Sequence, residues 1–131
     1  MPRLLLYTTQ GDRRLQLLGR RLARERQVTI ESCPDTSSLE RGLRQAGGAM
    51  TLAVLLTASR EELQELLTLR PLMADIPHIL ILPDRDKETV AMGHVLAPRF
   101  LTDIQNDFQE IHDVLSKMLE KYSDKTPSIE S

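Results

Sequence analysis

Thr51-Leu52-Ala53-Val54-Leu55-Leu56-Thr57 is an apolar run closed by a threonine, followed by Ala58-Ser59 and a charged, helix-like segment. A strand with one wet face alternates apolar and polar side chains, whereas a strand covered on both faces stays apolar throughout. The run therefore reads as the central strand of a parallel sheet. His78-Ile79-Leu80-Ile81-Leu82 has the same character and belongs beside it. In such sheets ligands gather beyond the carboxyl ends of the strands, so Thr57 and its counterparts on the other strands are the positions to compare.

Working outward, Leu4-Leu5-Leu6-Tyr7 predicts a first strand, followed by the polar turn Thr8-Thr9-Gln10-Gly11-Asp12. Leu15, Leu18 and Leu22 recur at helical spacing, with Arg13, Arg20, Arg21 and Arg24 on the other side. Gln27 to Glu31 alternates as a half-covered edge strand does. Ser37 with Glu40 has capping-box spacing for a second helix, buried through Leu39, Leu43 and Ala46 and ended by Gly47-Gly48.

Ser59 with Glu62 repeats that spacing for a third helix, carried by Leu63, Leu66, Leu67 and Leu69 until Pro71 ends or kinks it. A weakly patterned fourth helix spans Thr89 to His94. Arg99 to Thr102 predicts the last strand, and Thr102 with Gln105 the cap of a fifth helix. That helix is marked by Ile104, Phe108, Ile111, Leu115 and Leu119 or Tyr122.

Five strands alternating with five helices predict one α/β domain over residues 1–122, with a flexible tail at 123–131. The expected architecture is a flavodoxin-like three-layer sandwich around a five-stranded parallel sheet of order 2-1-3-4-5. The first and last helices then share a face, placing arginines beside the acidic side of the last helix.

Composition narrows the function classes. A lone Cys33 and no Cys/His cluster of metal-ligand spacing suit a reducing cytoplasm, and no run is long enough to span a membrane. Residues 1–26 carry seven Arg against Asp12 and Glu25, a local +5 that leaves −7 for the remainder of a chain of net charge −2. That acidic remainder and the scarcity of aromatics disfavour nucleic acid as a partner.

Phe100-Leu101-Thr102-Asp103-Ile104 resembles the "F-L-T-K-P" that ends the fifth strand in the receiver domains of two-component signalling proteins. Arg3 to Thr9 is similar to the family's first strand and acidic pair, and Leu52 to Thr57 to its third strand. The resemblance covers residues 3 to about 122. It implies two carboxylates for Mg²⁺ after strand one, a phospho-accepting aspartate after strand three, a hydroxyl after strand four and a lysine after strand five. Hard Mg²⁺ takes oxygen ligands, preferably anionic, and the phosphoryl group needs a cation. The corresponding residues are Thr8, Thr9, Thr57, Pro83 and Asp103, and none has that chemistry.

The resemblance thus implies a pseudo-receiver: a non-phosphorylated regulatory or interaction module, not an enzyme, needing no metal or cofactor. Its expected partner is another signalling protein or a second copy, met through the fourth-helix, fifth-strand and fifth-helix face that includes Thr89, Met92, His94, Arg99, Val114 and Met118. Val114 and Met118 serve equally as an extension of the core. The alternative is a phosphate- or nucleotide-binding flavodoxin-like protein using Thr8-Thr9-Gln10-Gly11 at the first helix. His78, His94, His112 and Cys33 are too scattered to assemble a nucleophile and base from spacing.

Overall fold

A computed structural model describes residues 1–45 and 50–123. Its strands are β1 (Arg3–Tyr7), β2 (Thr29–Cys33), β3 (Thr51–Leu56), β4 (His78–Leu82) and β5 (Phe100–Asp103). They form one parallel sheet in the order β2-β1-β3-β4-β5. The helices are α1 (Arg13–Glu25), α2 (Thr36–Arg44), α3 (Arg60–Leu67), α4 (Arg70–Met73), α5 (Lys87–Val95) and α6 (Phe108–Ser123). This is the predicted flavodoxin-like arrangement, with the four-residue α4 added.

Every residue of β3 and β4 is buried, which is why neither run alternates. Their side chains feed two separate cores. Leu5, Tyr7, Ala53, Leu55, Leu80 and Leu82 point to the face covered by α2, α3, α4 and α5. Leu4, Leu6, Leu52, Val54, Leu56, Ile79 and Ile81 meet α1 and α6 on the other. A Cβ at Gly19 would stand 2.6 Å from Leu6 Cδ1, so glycine lets α1 lie close against the sheet.

Several boundaries differ from the sequence expectation. β2 begins two residues later, because Thr29 to Cys33 is the stretch in register with β1. Asp35, not Ser37, caps α2: its carboxylate takes the Ser38 N–H at 2.7 Å while Ser38 Oγ takes the Asp35 N–H. Thr102 lies within β5, and α6 starts at Phe108 after a turn held by Asp103 Oδ1 on the Gln105 N–H. Pro71 sits in the first turn of α4, where its missing N–H costs nothing. The Ala46 contact, the Gly47-Gly48 helix end, the Tyr122 side chain and residues 124–131 lie outside the described residues.

The α1–α6 contact is made of few ion pairs. Arg26 reaches Glu120 at 3.3 Å, Arg21 donates to Gln109 Oε1 at 2.9 Å, and Glu25 meets His112 Nε2 at 2.7 Å. Arg14 donates to the Ile104 carbonyl at 2.8 Å and stacks over Phe108, 4.5 Å from the ring centre.

Candidate functional site

The carboxyl ends of β1, β3, β4 and β5 meet at one pole, where Thr8, Thr9, Thr57, Pro83 and Asp103 follow or end their strands. Thr57 is completely buried, and its Oγ1 donates to the Ile81 carbonyl at 2.8 Å. That carbonyl also takes the Thr57 N–H at 3.0 Å, so the side chain is turned sideways onto β4. A phospho-accepting carboxylate would instead have to reach solvent.

The neighbouring donors are engaged by a residue that the strand-end comparison passed over. Glu62, in the first turn of α3, takes the Ala58 N–H on Oε1 at 2.9 Å and the Thr9 hydroxyl on Oε2. Ser59 Oγ meanwhile takes the Glu62 N–H at 3.2 Å. The Ser59/Glu62 spacing did mark a helix start, but Glu62 reaches one residue further back than a capping box would. An internal carboxylate thus occupies the amide next to the strand-three position.

The charges around the pole are paired with one another. Asp103 Oδ2 receives Arg85 Nε at 2.7 Å, and its Oδ1 takes the Gln105 N–H. Partial burial pushes the Asp103 carboxyl up, but these donors outweigh it and hold the group below its ordinary range. Arg60 links α3 to α5 through Asp86, Glu88 and the Thr89 hydroxyl. The Asp84 carboxyl is held low by a hydrogen bond from Thr89 and by the Asp86 N–H. With Glu62 and Asp103 committed to internal donors and Thr8 and Thr9 neutral, these residues do not fit the Mg²⁺ that a receiver holds.

The outer face is narrower than the sequence suggested. Thr89 is fully buried, because its hydroxyl is held by Arg60 beneath the start of α5; it belongs to no exposed face. Val114 and Met118 pack partly buried against the α1–α6 core, and Met92 against the opposite core. His94 and Arg99 are exposed.

The loop proposed for phosphate is capped from within. Gly11 adopts φ +63°, and Asp12 Oδ1 takes the N–H groups of Arg14 and Leu15 at the start of α1. The donors a bound phosphate would use already hold a carboxylate, against the phosphate alternative.

The remaining candidates stand apart. His78 is buried with Nδ1 on the Ile76 carbonyl at 2.8 Å, His94 lies on α5, and His112 pairs with Glu25. Burial pushes the Cys33 thiol up to about 11 and the Tyr7 hydroxyl to about 12, so neither is an activated group.

A crystal structure from Burkholderia pseudomallei, whose description assigns the protein provisionally to pilus assembly, superposes with a TM-score of 0.62 over 89% of this chain and 88% of that one. The two sequences are 13% identical. The likeness is one of fold. No family model matches the sequence, and no curated protein is similar to it. Among the described residues no helix is long and apolar enough to cross a membrane.

Proposed function

We propose that the chain is a receiver-like regulatory module that acts by contact with another protein and is not switched by phosphotransfer. It is a binding module rather than an enzyme, working in cytoplasmic signalling or in pilus assembly, the latter being the setting named for its structural neighbour. The observation that carries this reading is the self-contained pole. Thr57 is bonded to β4, the Ala58 amide is held by Glu62, and Asp103 is held by Arg85. A phosphoryl group would need an anionic acceptor and a free cation in the places these contacts take.

Incubating the full chain with acetyl phosphate and Mg²⁺, with intact-mass detection, tests it. An unchanged mass is expected, and a stable phosphoryl adduct would overturn the reading. Light scattering on the same sample separates a partner that is a second copy from one that is a different protein.

A further inference from the structure

Arg13, Leu17, Arg20 and Arg24 recur at the spacing of one helix face of α1. All four are exposed, Leu17 to 50%. The arginines of the first 26 residues divide by direction. Arg3 pairs with Glu31, while Arg14, Arg21 and Arg26 pair with Asp12, Glu25 and Glu120. Arg13, Arg20 and Arg24 make no ion pair among the described residues. Pairing with α6 therefore accounts for only part of the basic helix.

Two adjoining grooves run beside this stripe. One, of about 500 Å³, lies between α1 and β2, which is the edge of the sheet, and includes the apolar Leu15, Ala23 and Ile30. The other, of about 440 Å³, is lined by Gly11, Arg13, Gln16, Leu17 and Arg20. Among the described residues no Asp or Glu lines either groove, in a chain whose net charge is negative. Arg13 and Arg20 line these grooves and Arg24 continues their stripe along α1; three cations without an ion-pair partner among the described residues, beside an apolar furrow, form half of a complementary pair.

We propose that this face of α1 docks an acidic, partly apolar segment of a different protein. Its carboxylates meet Arg13, Arg20 and Arg24, and its apolar side chains lie on Leu17 and in the furrow beside β2. From Arg13 to Arg24 the stripe runs about 16 Å, matching three turns of helix or about five residues of extended chain. A nucleic acid fits less well, since the apolar furrow offers nothing to a phosphate backbone and the rest of the chain repels a long polyanion. A second copy docked here through its own acidic surface would make a head-to-tail contact, which closes into a ring or propagates into open chains rather than stopping at a two-fold dimer. Exposed ion pairs alone bind weakly, so the furrow supplies the remaining affinity and the charges supply orientation and salt sensitivity. The proposal rests on the interaction-module reading and adds its surface and partner chemistry.

The test is fluorescence anisotropy of the full chain at low salt with a labelled peptide of alternating Glu and Leu, about three helical turns long. Single-stranded DNA of matching charge serves as the other arm. Saturable peptide binding is expected, weakened at least about tenfold by Arg13→Gln/Arg20→Gln/Arg24→Gln, and several-fold by Leu17→Ala. Removing equal charge elsewhere, as Arg41→Gln/Arg70→Gln/Lys87→Gln, is expected to leave binding unchanged. Circular dichroism verifies folding, and the single variant Arg20→Gln replaces any triple variant that is unfolded. No peptide binding, equal weakening by both triple variants, or DNA binding as tight as the peptide would overturn the proposal. Its failure is separable from that of the function above. A phosphoryl adduct with intact docking refutes only the non-phosphorylated reading; an unchanged mass with no docking refutes only this surface.

Discussion

Replacing Thr57 by aspartate restores the residue type that a phosphorylated receiver carries at this strand end, and the structure predicts that the protein will resist it. Thr57 is completely buried and its hydroxyl faces the Ile81 carbonyl, an acceptor that repels a carboxylate. An uncompensated buried charge costs about 3–5 kcal/mol, against about 5–15 kcal/mol for the whole stability of a domain. With a urea slope of about 1.5 kcal/mol per molar, the unfolding midpoint should fall by roughly 2–3 M at neutral pH. Burial raises the carboxyl's pKa in the folded state, so the deficit should be absent below about pH 3.9, where both states are protonated, and should grow as pH rises. Thr57→Val is the control. It loses a hydrogen bond of about 1 kcal/mol and gains about 0.8 kcal/mol from a buried methyl group. The Ile81 carbonyl keeps the Thr57 N–H, so the midpoint should barely move. Urea titrations of both variants followed by circular dichroism decide the matter. An aspartate variant within about 0.5 M of the parent at neutral pH would refute the reasoning.

Three further outcomes are expected. The Glu25 carboxyl is held low by hydrogen bonds from His112 and then Arg21, so its contribution is present above its ordinary pKa and lost as pH falls through the lower folded value. Thermal midpoints of Glu25→Gln and the parent should therefore differ at neutral pH and converge in acid. Ala97 holds φ +53°, a conformation costing a non-glycine residue about 1–2 kcal/mol. Ala97→Gly should relieve that strain, less the entropy glycine adds to the unfolded chain, for a net gain of about 0.5–1 kcal/mol in urea unfolding. Cys33 is buried with its thiol pushed up to about 11, so a thiol reagent at about pH 8 should label it only at the rate of opening and rapidly in denaturant.

The fold was legible where burial dominates. β3 and β4 read as continuous apolar runs because both faces of each are covered, and β4 was delimited without error at His78 and Leu82. The edge strand β2 was misplaced because half-covered residues follow weaker rules: Val28 is buried ahead of the strand, and Ser32 lies exposed within it. Capping-box spacing misled twice, since Ser, Thr, Glu and Gln fall three apart by chance. Asp35 beside Ser38 was the pair that formed around α2, and Thr102 stayed in the sheet.

At the pole, the absence of reacting groups was plain from Thr8, Thr9, Thr57, Pro83 and Asp103. What fills their place was not. Glu62 carried a usable signal, an acid in the first turn after the central strand, yet its contact with Thr9 spans 53 residues and depends on β1 and β3 lying side by side. Arg85 and Asp103 likewise meet only because β4 and β5 pair. Thr89 looked like a surface residue because polar residues near a helix start usually are; the Arg60 side chain from α3 covers it.

The closed pole can be tested at its own amides. In a proton–nitrogen correlation spectrum titrated with Mg²⁺ and beryllofluoride, a phosphoryl mimic, the signals of Thr57, Ala58 and Ser59 are expected not to move. Saturable shifts centred on the Ala58 amide, with release of Glu62 from it, would contradict the account.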